Sequence, residues 1–226
     1  MTTWWPAAAW CAGAYLLGAI PFGLLIGLAC GKDIRREGSK NIGATNCFRV
    51  CGAAPGIAAF VLDVAKGFLP VFAAVAWLPA LAGFPPEPEA WGSTEWLMLV
   101  AVTLSPIVGH VLPIYLKFHG GKAVATSLGV LLALPMLRWI ALAAFGVWAV
   151  TVGLTRYVSV ASSVAALAFL AGHLWVNRAE AWGPYLPVTV FVLALVAMIL
   201  VRHRSNYARL LKGTENKIGG RKKTGA

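Results

Sequence analysis

The chain reads as an all-α, polytopic transmembrane helix bundle of seven spans, with its N-terminus outside and its C-terminus cytoplasmic. Three observations lead there. Hydrophobic residues make up 59% of the 226 and charged residues 12%, about half the charge of a soluble domain, and the mean hydropathy is +0.76. The apolar residues fall in runs long enough to cross a bilayer, which takes about 20 residues. The basic residues gather in alternate loops, the bias that orients membrane proteins. Little chain is left for a separate soluble domain, so residues 1–219 form one transmembrane domain and 220–226 a flexible basic tail.

The first run, roughly 4–30, starts "MTTWWPAAAW". It has no basic n-region and no small-residue cleavage pattern after the apolar stretch, so it reads as a retained span. Further runs cover roughly 54–80, 95–116, 122–137, 139–154, 157–176 and 184–201. The fourth and fifth are short; as thin helices they give seven spans, as one re-entrant pair they give five. In the seven-span arrangement sixteen of the nineteen Lys and Arg share one face. They are Lys32, Arg35, Arg36, Lys40 and Arg49, then Lys117, Lys122 and Arg156, then eight from Arg202 to Lys223. The other face keeps Arg138 and Arg178 with Glu87, Glu89, Glu95 and Glu180. Trp4, Trp5, Trp77, Trp91, Trp96, Trp139, Trp175 and Trp182 fall near that outer interface, the depth an apolar ring with one N–H donor prefers.

The formal charge of +11 points to anionic lipid head groups or anionic substrates. Nucleic acid is disfavoured, since no soluble module joins aromatic and basic residues. Cys11, Cys30, Cys47 and Cys51 contain no CxxC motif, and no His lies near Cys47 or Cys51, so they read as small apolar thiols, and neither a metal nor a cofactor is expected.

Three segments on the basic face carry polar chemistry: "GSKNIGATNCFR" (38–49), "GHVLPIYLKFHGGKAVAT" (109–126) and "RHRSNYARLLKGTENKIGG" (202–220). Glycines free backbone N–H groups to point one way, and Lys or Arg adds positive charge, a combination that suits phosphate. Gly120, Gly121 and Lys122 fit best, with a helix expected to start at or just after Lys122. Asn41, Thr45 and Ser159 are further phosphate candidates. This is not a Walker A loop: Leu116 stands at the first glycine and Ala123 where Ser or Thr should follow Lys. One such loop alone would read as a tight turn; three on one face, with Ser39, Arg49, Lys122, His203 and Asn206, read as an anion site. Asp63 and Lys66 share a helix face, either as a structural ion pair or lining the site. His110, inside the third span, reads as a structural hydrogen-bonding group.

With "LDVAKG" and "TRYVSVAS", these segments closely resemble the bacterial acyl-phosphate:glycerol-3-phosphate acyltransferases, the PlsY family, from about residue 13 to 219. The resemblance implies a small polytopic inner-membrane enzyme with its site on the cytoplasmic side, expected to act as a monomer among membrane lipids. It implies transfer of an acyl group from acyl phosphate to the 1-hydroxyl of glycerol 3-phosphate, giving lysophosphatidate and inorganic phosphate. By the same resemblance Ser39, Arg49, His203 and Asn206 serve activity, Gly120, Gly121 and Lys122 bind glycerol 3-phosphate, and Glu215 maintains structure. Two residues depart from the pattern. Lys40 and Ala123 each replace a usual glycine, and Ala123 would be strained if its φ is positive. The His-then-Asp motif of the soluble-donor glycerolipid acyltransferases is absent, because Tyr115 follows His110 at the required spacing.

From the residues alone two other readings stay open. Asp63, Lys66 and His110 could line an organic-anion transport path, although no internal repeat supports it. The basic tail could serve a non-catalytic lipid-binding scaffold.

Overall fold

The computed structural model describes residues 3–85 and 90–219. Glu87, Glu89 and the basic tail 220–226 lie outside the described residues. The described residues form α1 (Trp5–Ala19), α2 (Phe22–Ala29), α3 (Ala44–Cys51), α4 (Ala53–Ala82), α5 (Ser93–Val111), α6 (Val124–Ala133), α7 (Pro135–Thr155), α8 (Val158–Val176), α9 (Leu186–Arg202) and α10 (Arg204–Leu211). Five stretches are long and apolar enough to cross a membrane: Trp5–Ala29, Ala53–Ala82, Ser93–Leu116, Pro135–Thr155 and Val158–Val176. Leu186–Arg202 with Arg204–Leu211, bent by 45°, makes a sixth.

The fourth expected run differs. It folds as α6, ten residues long, which rises about 15 Å, half of a hydrocarbon core. Leu134 is extended and Pro135 opens α7. A proline cannot continue α6, and it pushes the residue before it out of the helical region. The same rule breaks the first run, where Ile20 precedes Pro21 and is extended at ψ 119°. At that break the Ile20 carbonyl accepts the Phe22 N–H at 3.1 Å and Lys66 Nζ at 2.7 Å.

Three helix contacts hold the bundle: α1 on α5, α4 on α6, and α7 on α8. The α4–α6 contact is close because Gly67 faces the Thr126 carbonyl and Gly129 faces the Val64 carbonyl, where any Cβ would collide. It brings Thr126 Oγ1 to 3.1 Å from His110 Nδ1, beside the buried Asp63–Lys66 ion pair of 2.8 Å. Leu131, Leu137, Phe169, Phe191 and Leu195 belong to the main apolar core.

Trp4, Trp5, Trp77, Trp139, Trp175 and Trp182 are all more than half exposed, as rings at a lipid interface are. Trp96 is not one of them. It is 1% exposed and packs on Trp91 at 4.9 Å and Tyr185 at 5.1 Å between ring centroids, as part of the core.

The bend between α9 and α10 has a local cause. The His203 N–H turns to Leu200 O at 3.1 Å, and the ring Nδ1 takes Ile199 O instead, at 2.8 Å. A side chain that competes for the i−4 carbonyl bends a helix.

Candidate active site

The 38–46 loop is built around one side chain. Asn46, 1% exposed, donates Nδ2 to the carbonyls of Ile34 at 2.7 Å, Glu37 at 3.1 Å and Asn41 at 2.9 Å. Its Oδ1 accepts the Ser39 N–H at 2.8 Å. Asn41 Oδ1 in turn accepts the Gly43 N–H at 3.0 Å, an Asx turn that opens α3. Thr45 and Arg49 follow on α3.

The second loop is held from below and from the side. The Gly121 N–H donates to the His110 carbonyl at 3.1 Å. Gly120 and Gly121 lie so close to His110 that neither has room for a Cβ. Arg202 Nη2 reaches both their carbonyls, at 3.0 Å and 2.6 Å. Ala123, at φ +59°, then caps α6, so the helix begins at Val124, two residues past Lys122.

The third segment closes the site around Glu215. Its Oε1 accepts Asn206 Nδ2 at 2.6 Å and the Ser159 hydroxyl at 3.1 Å, and its Oε2 accepts Arg209 Nε at 2.8 Å. Lys122 Nζ donates to Asn206 Oδ1, which ties the second loop to the third. Arg49 Nη2 donates to the Asn216 carbonyl at 3.0 Å, which ties in the first. Arg49 Nε is buried and has no partner among the described residues, a costly state that a bound anion would relieve.

All three segments line one cavity of about 360 Å³. Ser39, Asn41, Thr45, Arg49, Lys122, Ser159, His203, Asn206 and Glu215 form its polar end, with Asp63 and His110 on its wall. Arg49, Arg202 and Arg209 crowd around Lys122, and Glu215 offsets their charge. Burial chiefly pushes Lys122 down to about 8, against the pull of Glu215 and helped by Arg209, Arg49 and Arg202. His203 faces the same cavity from the bend between α9 and α10. Its Nδ1–H is committed to Ile199 O, so Nε2 carries the free lone pair.

A glycerol-3-phosphate acyltransferase family profile matches residues 8–213. The glycerol-3-phosphate acyltransferase of Staphylococcus carnosus (strain TM300) is 42% identical over 206 residues, 91% of this chain and 94% of that protein. The chain belongs to the glycerol-3-phosphate acyltransferase family. Its relative from Synechocystis sp. is 43% identical over 211 residues, covering 91% and 87% of the two chains. The crystal structure of PlsY (YgiH), an integral membrane glycerol 3-phosphate acyltransferase, in its glycerol 3-phosphate form superposes with a TM-score of 0.79 at 36% identity, over 95% of this chain and 96% of that one.

Within this acyltransferase the cavity gathers nearly every residue expected from the sequence. Gly120 and Gly121 form the loop that presents Lys122 rather than the cavity wall. Lys66 stands behind Asp63 and serves the Ile20 carbonyl. Three residues were missed: Asn46, which organises the first loop; Arg202, which clamps the second; and Arg209, which holds Glu215. Asn46 sits in the quoted "GATN" and Arg202 opens "RHRSN", so both lay inside recognised motifs. Nothing local separates them from their neighbours.

Both departures from the family pattern occupy left-handed backbone, Lys40 at φ +58° and Ala123 at φ +59°. Lys40 is exposed and does not line the cavity. Lys40→Gly is expected to stabilise the fold by about 0.5 kcal/mol, the relief of left-handed strain less the entropy of glycine. Thermal unfolding in detergent, compared with the parent chain, measures it.

Proposed function

We propose that this acyltransferase moves a fatty acyl group from acyl phosphate to the 1-hydroxyl of glycerol 3-phosphate, releasing lysophosphatidate and inorganic phosphate. One observation carries the reading: a cavity with converging cations and freed amides at one end and apolar walls along the rest. That shape suits two phosphorylated reactants, one of which bears an acyl chain.

Acyl phosphate is already activated by its leaving group, so no covalent enzyme nucleophile is required. The main task is to hold two anions together with the hydroxyl against the carbonyl. Lys122 and the glycine loop bind the glycerol 3-phosphate, and Arg49 Nε takes a phosphate oxygen. Ser39, Asn41, Thr45 and the first amides of α3 and α6 donate to the remaining oxygens and to the oxyanion that develops at the carbonyl. The leaving phosphate accepts the proton of the attacking 1-hydroxyl, and neutral His203, whose open Nε2 can only accept, orients the glycerol through its other hydroxyl. Asn206 and Ser159 keep Lys122 and Glu215 in register.

In the membrane this arrangement corresponds to seven crossings. α5 ends at the phosphate loop, and α7 ends where Arg156 O accepts the Ile218 N–H at 2.8 Å, at the same end of the cavity. α7 is 21 residues, about 31 Å long, so its start is on the far side. α6 and Leu134 carry the chain there as a thin crossing. The polar end coincides with the basic loops, and the positive-inside bias supports reading it as the cytoplasmic side of the bacterial inner membrane with the N-terminus outside. The protein works as a monomer among lipids, and product leaves sideways into the inner leaflet.

Purified chain supplied with palmitoyl phosphate and glycerol 3-phosphate is expected to release phosphate and form lysophosphatidate. Flux of glycerol 3-phosphate into vesicles without product would sink the reading. The pH profile follows from Lys122. Its ammonium form binds phosphate, and bound dianion raises its pKa from about 8, so binding takes up a proton once the free lysine has lost its own. KM for glycerol 3-phosphate is expected to be flat just below pH 8 and to rise by up to about tenfold per pH unit above it. Initial rates at saturating acyl phosphate check this.

A further inference from the structure

Beyond the polar end, the cavity continues as an apolar arm walled by Leu131 of α6, Ala141 of α7, Ala166 and Phe169 of α8, and Leu195 of α9. On α8 the lining residues start at Val158 and stop at Phe169, with Ser159, Ser162, Ala166 and Phe169 along one face. Ten residues of helix rise about 15 Å, the depth of the acyl chains of one leaflet.

The stop has a physical cause. One turn further on, Gly172 lets α8 close against α7, and a Cβ there would lie 2.8 Å from Ile140 Cγ2. Beside it, buried His173 Nε2 and Thr189 Oγ1 are 3.0 Å apart and tie α8 to α9. The helices that wall the arm therefore meet just past Phe169, and the arm is blind. A second apolar groove, of about 240 Å³, leaves the cavity on the lipid side past Phe60 and Phe145, whose stacked rings are 6.2 Å apart.

We propose that the blind arm measures the acyl chain, and that Phe169 sets the longest chain accepted. This rests on the acyltransferase reading and names a specificity determinant within it. Each methylene that finds a place in the arm leaves water, a gain of about fourfold in affinity. A chain longer than the arm meets Phe169, and its carbonyl is lifted off the phosphate loop. Ala141 and Ala166 leave width in the arm; Phe169, 3% exposed, has no such slack.

The test is a competition among myristoyl, palmitoyl and stearoyl phosphate at equal concentration, with glycerol 3-phosphate and the full chain in detergent. The lysophosphatidates are resolved by mass. Phe169→Ala is expected to raise the stearoyl-to-myristoyl ratio of kcat/KM by about tenfold. Phe169→Leu should shift it less in the same direction, and Ala141→Leu should lower it. The milder variants keep the test open if Phe169→Ala does not fold. An unchanged ratio in variants that still release phosphate overturns the proposal. So does a ratio that moves only in Leu142→Ala: Leu142 lines the lipid-side groove and not the main cavity, and that result would put the chain in the groove. Absence of phosphate release by the unsubstituted chain at every chain length would instead remove the acyltransferase reading beneath it.

Discussion

Lys122→Ala is expected to lower kcat/KM for glycerol 3-phosphate by about 10²–10³-fold, the usual loss when a preorganised charge or donor is removed from a dry site. The melting temperature should stay near that of the parent chain. Lys122 is held against Asn206 among Arg49, Arg202 and Arg209, with one carboxylate nearby. Removing it relieves cation crowding while leaving Glu215 paired with Arg209 at 2.8 Å. Fold and activity should therefore separate. Phosphate release measured alongside thermal unfolding shows it, and a variant with near-parental kcat/KM would remove Lys122 from the phosphate site.

Glu215→Ala is expected to do the reverse and strike the fold first. The side chain of Glu215 is 2% exposed and receives Asn206, Ser159 and Arg209. Without it three donors lose their acceptor and the nearby cations lose their counter-charge. Breaking a buried pair from one side costs about 3–5 kcal/mol, or roughly 10 °C in a chain of this size. Glu215→Gln, which keeps the shape and loses the charge, should fall between the two. Melting temperatures within about 2 °C of the parent for both variants would show that the third segment is held by other contacts.

The long helices were legible because a membrane span is a local property of some twenty residues. The three motifs were legible because glycine, amide and basic residues cluster within short windows. What could not be read depended on breaks or on distance. A hydropathy window over 122–137 counts apolar residues and is blind to the turn at Leu134 that ends α6. Trp96 looked like its interfacial neighbours because nothing local marks a tryptophan that packs on Trp91 and Tyr185. Arg202 meets Gly120 and Gly121 some eighty residues back in the chain, and in sequence it was one basic residue among eight. Asn46 stands in "GATN" as one polar loop residue among several. Its role appears only when the chain from Ile34 to Asn41 is seen wrapped around it.

The meeting of Ser159, Asn206 and Arg209 on Glu215 sets an order for biosynthesis. Glu215 follows every helix of the described bundle, so a nascent chain can insert all its apolar segments and still lack a finished reaction chamber. Catalytic competence is then expected only after translation has passed the last of those helices, and a fragment that stops before Glu215 is expected to leave the lipid precursor pool untouched.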